Sequence, residues 1–335
     1  HYSFGKAADL LGLGRDNLVL VDTDEHNRVE MAHLKQECER LRSENIRPLA
    51  IVGIAGTTET GNIELLAEMA GYAREIDTHF HVDAAWGGPT LFSDTYRHLL
   101  KGIERADSVT LDAHKQLYAP MGAGLVVFRD PAALSAIEHH AAYILREGSK
   151  DLGSHTLEGS RPGKSMLVHA GLSIIGRKGY ELLIDMGIER ARTFATLIEQ
   201  QPDFELTSEP ELNILTYRYC PESVQKALPH ANLDQRCRIN VLLDQVNRLV
   251  QKNQREAGKT FVSRTRLRVP PTGNKLVTVF RVVLANPLTT DEILSAVLDE
   301  QRQLVQDEEP RSLLVEINRL CADISPGQDI FSSVG

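Results

Sequence analysis

Several residue types and patterns that would indicate a specialised protein are scarce in this chain of 335 residues. Cysteine occurs four times, widely spaced and without a CxxC pair, so we expect reduced thiols of a cytoplasmic protein rather than disulfides or a zinc site. No apolar run approaches the roughly 18 residues that span a bilayer, and no signal peptide opens the chain. These absences exclude a disulfide scaffold and predict no membrane partner.

An excess of positive charge is also missing. The formal net charge is −9 and the basic residues are scattered, so nucleic acid is not an expected partner. Hydrophobic residues make up 42% and charged residues 25% of the chain, as in an ordinary globular protein, and the length favours one large and one smaller domain. Because the first residue is a histidine rather than a methionine, we expect the chain to be a segment of something longer.

Short apolar runs alternate with helix-period segments up to about residue 130. Five runs have the length and continuous apolar character of buried strands: 17–22, 49–56, 80–85, 108–113 and 124–128. Two segments place apolar residues three and four positions apart, as amphipathic helices do: 31–45 and 64–76. This alternation predicts an α/β fold with a largely parallel sheet.

The pattern changes after about residue 165. The sequence there predicts helices over 166–201, 241–258 and 289–304 and strands over 214–219 and 276–284. Thr289 and Glu292 have capping-box spacing at the start of the last helix. We therefore predict a large domain over 1–165, a smaller C-terminal α+β domain over 166–306 and a C-terminal tail over 307–335.

The stretch HFHVDAAWGG, residues 79–88, ends a predicted strand on an aspartate and continues through small residues. Alternation places His79, His81 and Asp83 on one face of that strand. Lys115 follows the next predicted strand, far enough along the chain for a crossover between the two. Ligands of parallel sheets bind beyond the carboxyl ends of the strands, so we expect Asp83, Lys115 and the turn at Thr57 to converge on one crevice.

A lysine and a carboxylate at neighbouring strand ends form the pair that pyridoxal phosphate enzymes require. The lysine forms the covalent link to the cofactor aldehyde, and the carboxylate keeps the pyridine nitrogen protonated so that the ring accepts electrons. Ala84 and Ala85, which follow the aspartate, leave room for a flat ring to lie against the strand.

Two motifs in this region carry a resemblance to a known family. HVDAAWGG and ERADSVTLDAHK are similar to the core signature of the group II pyridoxal-phosphate-dependent amino-acid decarboxylases, and the likeness runs from HYSFGKAADLLGLG to VFRVVLANPLTTDEI. The resemblance implies the fold type I pyridoxal phosphate transferase architecture, with part of the family fold preceding His1. It also implies pyridoxal 5'-phosphate as cofactor and a homodimer.

The same resemblance implies roles around the cofactor ring. Lys115 would form the covalent link, and Asp83 would pair with the pyridinium nitrogen. Ala85 would pack on one face of the ring and His1, counted with the catalytic residues, would stack on the other. Thr57, in the AGTT turn, would lie beside the cofactor.

Two further residues match binding positions of the family. His114 matches a position near the cofactor phosphate, and Arg281 matches the arginine that binds the substrate α-carboxylate. Without the motif, Arg281 would read equally well as an edge-strand residue paired with a surface carboxylate. The segment 146–163 matches a mobile loop but has no tyrosine to protonate the α-carbon, which leaves His155 and Lys115 as candidates. We expect the loop from about 146 to 158 to order over the pocket when substrate binds.

The resemblance points to decarboxylation of an acidic amino acid, either L-aspartate to β-alanine or L-glutamate to γ-aminobutyrate, and is closest to bacterial aspartate 1-decarboxylases. Two alternatives remain open. His79, His81 and Asp83 are a possible ligand set for a metal-dependent hydrolase, although that site would leave Lys115 without a function. The second alternative is a non-catalytic scaffold with the same fold.

Overall fold

The computed structural model describes residues 1–140, 148, 152–156, 158, 160–269 and 276–324. The chain forms two compact units. Unit 1 comprises His1–Asp22, Arg28–Thr57 and Ile63–Asp185, and unit 2 comprises Thr23–Asn27, Thr58–Asn62 and Met186–Gly335. The domain limits anticipated from the sequence, 1–165, 166–306 and 307–335, stay a prediction.

Unit 1 contains a four-stranded sheet, in the order β1 (Ala50–Ile54), β2 (His79–Asp83), β3 (Ser108–Asp112) and β4 (Gly124–Phe128). The first three strands are parallel, and β4 is antiparallel to β3. In β2 the apolar side chains of Phe80 and Val82 are buried, while the alternate residues face the opposite side. The predicted largely parallel sheet is confirmed.

The helices of unit 1 include α1 (Ser3–Leu10), α2 (Met31–Ser43) and α3 (Leu66–Glu75). Helix α3 packs closely on β1 because Gly53 has no side chain: a Cβ there would lie 3.0 Å from Leu66 Cδ2 and 3.3 Å from Met69 Sδ. The predicted strand over 17–22 is wrong. The chain forms a 3₁₀ turn at Arg15–Asn17 and then runs without a described strand partner.

Unit 2 contains an antiparallel sheet in the order β5, β6, β8 and β7. Its strands are β5 (Phe204–Ser208), β6 (Ile214–Tyr219), β7 (Ser263–Arg268) and β8 (Leu276–Val283). Every residue of β6 is buried. The remaining helices of the chain are α4 (Lys164–Glu199), α5 (Glu222–Ala227), α6 (Leu233–Ala257), α7 (Asp291–Leu304) and α8 (Glu308–Ala322). The α+β character expected for the second part of the chain is confirmed.

Two predicted helix starts need correction. Helix α6 begins well before residue 241, because Asn232 and Gln235 form a capping box there, and it ends at Gly258 in the left-handed conformation (φ 70°). Helix α7 is capped by Thr290 rather than Thr289: the Thr290 side chain accepts a hydrogen bond from the Ile293 N–H. Within the described ranges, no helix combines the length and apolar character needed to cross a membrane.

Candidate active site

The carboxyl ends of β1, β2 and β3 lie side by side in unit 1, since these strands are parallel neighbours. The backbone ladder continues past the strand ends: the Ala55 N–H donates to the Asp83 carbonyl and the Ala84 N–H donates to the Thr110 carbonyl, both at 2.9 Å. Gly56, with φ of 94°, then turns the chain at Thr57. The loops after the three strands therefore begin at one edge of the sheet, where parallel sheets bind ligands.

Asp83 is the last residue of β2 and its side chain is half-buried. Its Oδ1 accepts a hydrogen bond of 3.1 Å from the Ala85 N–H, which fixes the carboxylate at the strand end. Ala84, the next residue in the chain, is fully buried. Gly88 lies where this loop passes β3, and a Cβ there would be 2.5 Å from Leu111 Cδ2. Small residues are required here because the loop runs directly against the neighbouring strand.

Polar side chains of β2 and β3 form a chain of hydrogen bonds between the two strands. His79 Nε2 and His81 Nδ1 each hydrogen-bond with Ser108 Oγ at 2.8 Å, and His81 Nε2 lies 3.3 Å from Thr110 Oγ1. Burial lowers the pKa of His81, with an opposing effect from Asp83 that favours the charged form. The two hydroxyls were missed by sequence reasoning, since only the strand register brings them to the histidines.

The metal-site alternative is not supported by this geometry. His79 and His81 both face Ser108 rather than a shared ion position. Across the described residues, no group of three or more histidine, cysteine, aspartate or glutamate side chains is arranged to hold a metal ion.

The turn after β3 is held by contacts on both sides. The Lys115 N–H donates to the Asp112 carbonyl at 3.1 Å. Gln116 Nε2 donates to the Trp86 carbonyl at 2.8 Å, and Tyr180 Oη donates to the Leu117 carbonyl at 3.0 Å. The backbone that carries Lys115 is therefore tied both to the loop after β2 and to α4.

The Lys115 side chain forms an ion pair inside this turn. Its Nζ lies 2.9 Å from Asp112 Oδ2, and His114 Nε2 lies 3.9 Å from the same oxygen. His114 Nδ1 is 3.0 Å from the Ala123 carbonyl oxygen, which can only accept a hydrogen bond, so Nδ1 carries a proton. Sequence reasoning missed Asp112. The signal that could have found it is the spacing of three residues to Lys115, which places both at one turn.

His1 and the start of α1 also belong to unit 1. His1 is exposed, its Nδ1 hydrogen-bonds with Ser3 Oγ at 2.8 Å, and its ring lies 4.0 Å from that of Tyr2. The Phe4 ring meets the His81 ring edge-on with 6.3 Å between centroids. This contact brings α1 close to the strand that ends in Asp83.

Arg281 lies in unit 2, on the interior strand β8. Its Nε donates to the Thr58 carbonyl at 2.7 Å. Burial lowers the pKa of Arg281, and the Glu59 charge opposes this effect. No carboxylate among the described residues lies within ion-pair distance of its guanidinium, so the reading of Arg281 as a paired edge residue is wrong.

His155, one of the two candidate proton donors, is half-buried, with Nδ1 at 2.7 Å from Ser154 Oγ and Nε2 at 3.8 Å from Glu138 Oε1. Residues 146, 147, 149–151 and 157 of the predicted mobile loop lie outside the described residues. The ordering of this loop over the pocket stays a prediction.

The residues of unit 1 fit pyridoxal phosphate. An amine on the turn after β3 and a carboxylate at the end of β2 stand at adjacent ends of parallel strands, with the small side chain of Ala85 beside the carboxylate. An amine can join the aldehyde, and a carboxylate can face the ring nitrogen. This fold and this pair of residues have the chemistry that binding of pyridoxal phosphate requires.

The comparison with known proteins leads to the same class. Residues 1–220 match the family model described as the pyridoxal-dependent decarboxylase conserved domain, and the chain belongs to this family. It is 58% identical over 309 residues to "Aspartate 1-decarboxylase" of Aliivibrio fischeri, covering 92% of this chain and 56% of that protein. It is 30% identical over 314 residues to "Cysteine sulfinic acid decarboxylase" of Mus musculus, covering 92% and 61%.

Among solved structures, the chain is similar to mouse CSAD in apo form, with a TM-score of 0.82 and 28% sequence identity. The match covers 92% of this chain and 62% of that one. The predicted fold type I architecture is confirmed. The chain thus spans less than two thirds of the length of these relatives.

Proposed function

We propose that the whole protein is a pyridoxal phosphate-dependent decarboxylase that removes the α-carboxylate of an acidic amino acid. L-Aspartate, giving β-alanine, is the first substrate candidate and L-glutamate, giving γ-aminobutyrate, is the second. The observation that carries this proposal is the 58% identity to a protein named aspartate 1-decarboxylase. The mouse relative named for cysteine sulfinic acid adds support, since that compound also has an acidic side chain.

Five residues of unit 1 would hold the cofactor ring. Lys115 would join the aldehyde, Asp83 would face the ring nitrogen, and Ala85 and His1 would lie on opposite faces, with Thr57 beside the ring. When bound, the cofactor supplies a ring that accepts the electron pair left by the departing carbon dioxide. The catalytic contribution of Asp83 is its negative charge, which keeps a proton on the ring nitrogen.

Two further side chains would each bind an anionic group, one on the cofactor and one on the substrate. We propose that His114 contacts the cofactor phosphate and that Arg281 holds the substrate α-carboxylate. The support for Arg281 is a guanidinium that is partly desolvated and has no carboxylate partner among the described side chains. Protonation of the α-carbon after decarboxylation is assigned to His155 or Lys115.

The assembly and location of the protein are also proposals. We propose a homodimer, on the basis of the motif resemblance, and a cytoplasmic location, since the four cysteines are free. Sedimentation of the whole protein tests the first: a dimer mass is expected, and a monomer mass under assay conditions contradicts it.

An amine-product assay tests the proposed function most directly. The whole protein, loaded with pyridoxal phosphate, is incubated with L-aspartate, L-glutamate, cysteine sulfinate and an aromatic amino acid, and the amines are quantified by mass spectrometry. We expect β-alanine to form fastest. Preferential turnover of the aromatic amino acid would overturn the acidic substrate class. Cofactor binding without any amine product would favour the non-catalytic scaffold.

A further inference from the structure

Asp112 connects the two functional side chains of the turn after β3. One of its oxygens, Oδ2, lies 2.9 Å from Lys115 Nζ and 3.9 Å from His114 Nε2. The side chains of Lys115 and Asp112 are only 33% and 22% exposed, so water shields this ion pair incompletely. A single carboxylate is therefore placed to hold the amine on which the covalent link to the cofactor depends.

The backbone of the turn is fixed by other contacts. Gln116 and Leu117 bond to the loop after β2 and to Tyr180, and the Ala119 N–H donates to the Ala113 carbonyl at 3.0 Å. The Asp112 carboxylate accepts from none of these donors. Its removal should leave the turn in place and release only the end of the Lys115 side chain.

The neighbouring imidazole is held without help from the carboxylate. The Ala123 carbonyl oxygen accepts from His114 Nδ1 at 3.0 Å and from the Ala113 N–H at 2.9 Å. His114 therefore keeps its ring orientation, with Nε2 towards Asp112. The stronger interaction of Asp112 is with Lys115, because that distance is shorter by a full ångström.

We propose that Asp112 is a positioning residue for Lys115. Its carboxylate holds the amine at a defined place whenever that amine is not joined to the cofactor. This inference rests on the proposed function, in which Lys115 forms the covalent link. A free lysine side chain populates many rotamers and loses much of its entropy when it must react from one of them. Holding the ammonium beside the turn restricts those rotamers and also suppresses reaction with stray electrophiles.

The test measures the reactivity of Lys115 in the whole protein freed of cofactor. Acetic anhydride is applied in brief pulses across a pH series, and acetylation of Lys115 is read from its peptide by mass spectrometry. Asp112→Asn should raise the acetylation rate near neutral pH by about threefold, as loss of a partly exposed ion pair would. Asp112→Glu, which retains a carboxylate, should stay closer to the wild-type profile.

Asp299 and Arg302 provide a matched control. They form an ion pair with the same spacing of three residues as Asp112 and Lys115, and Asp299 Oδ1 lies 3.0 Å from Arg302 Nη1. Asp299→Asn removes one carboxylate from an ion pair in unit 2 and should leave the Lys115 profile unchanged. An unchanged profile in Asp112→Asn, or an equal shift in Asp299→Asn, would overturn the inference.

A second measurement uses the wild-type protein and so does not depend on whether a variant folds. In the wild type, raising the NaCl concentration should increase acetylation of Lys115 relative to other lysines, because salt weakens an ion pair that is partly exposed. No such increase would also overturn the inference. Borohydride reduction with pyridoxal phosphate distinguishes failure of the positioning role from failure of the proposed function. If the cofactor is trapped on Lys115 but Asp112→Asn leaves the acetylation profile unaltered, only the positioning role is refuted. If no cofactor is trapped on Lys115, the proposed function is refuted.

Discussion

Replacing Asp83 by asparagine separates charge from shape at the end of β2. Asp83 Oδ1 accepts a hydrogen bond of 3.1 Å from the Ala85 N–H, and an asparagine oxygen can accept the same bond. A charge-assisted bond becomes a neutral one, so the free energy of unfolding should fall by about 1 kcal/mol. Turnover should fall far more, by about a hundredfold or more, because a neutral amide no longer keeps the cofactor ring protonated.

The matched control is Asp107→Asn. Asp107 Oδ2 accepts a hydrogen bond of 2.8 Å from the Phe80 N–H, so this variant changes the same kind of carboxylate-to-backbone bond at the other end of β2. Stability is measured by urea denaturation, and turnover by amine formation with saturating cofactor. Near-normal turnover of Asp83→Asn with normal cofactor affinity would refute the reasoning, as would an equal loss of turnover in Asp107→Asn.

Three other predictions concern Arg281, Ser108 and His81. Arg281→Ala should keep the visible absorbance of the bound cofactor but lower kcat/KM by about tenfold or more, through loss of a charged hydrogen bond to substrate; an unchanged kcat/KM would contradict the assigned role. Ser108→Ala removes the partner of two histidines and should lower the free energy of unfolding by about 1–3 kcal/mol; wild-type stability in urea would contradict the hydrogen-bond chain. Because burial lowers the pKa of His81 in the folded protein, the His81 side chain binds a proton more readily in the unfolded chain. The free energy of unfolding should therefore fall as the pH drops below about 6.5 towards the lower pKa of His81 in the folded protein. His81→Gln should weaken this pH dependence in urea melts, and an identical dependence would contradict it.

Local apolar patterns predicted the sheet of unit 1 but not every element. The runs that became β1 to β4 are short, continuous and followed by turns, which is sufficient when a neighbouring strand exists. The run over 17–22 has the same composition, yet Val19 and Leu20 are exposed and no described strand pairs with it. Strand formation depends on a partner that is distant in sequence, and a local pattern carries no information about it.

Strand β7 was missed for the opposite reason. Its sequence, SRTRLR, is rich in arginine and resembles a loop, but it lies at the edge of the sheet of unit 2. Charged residues are common on edge strands, where they oppose pairing with other chains. The polar face was visible in the sequence, whereas the edge position was not.

The candidate site was predicted in outline from the order of its motifs. Asp83 and Lys115 could be placed at neighbouring strand ends because strand, crossover and strand follow in sequence. Ser108 and Asp112 could not, since serine and aspartate are common in strand ends and turns. Their contacts appear only when β2 and β3 are in register and the turn after β3 is closed.

Lys115 carries the central claim, and covalent trapping of the cofactor measures it most directly. The whole protein and its Lys115→Ala variant are incubated with pyridoxal phosphate, reduced with borohydride and digested, and the peptide that retains the cofactor is identified by mass spectrometry. We expect the cofactor on the peptide containing Lys115 in the wild type and no trapped cofactor in the variant. Cofactor reduced onto another lysine in the wild type, or onto the variant to the same extent, would contradict the account.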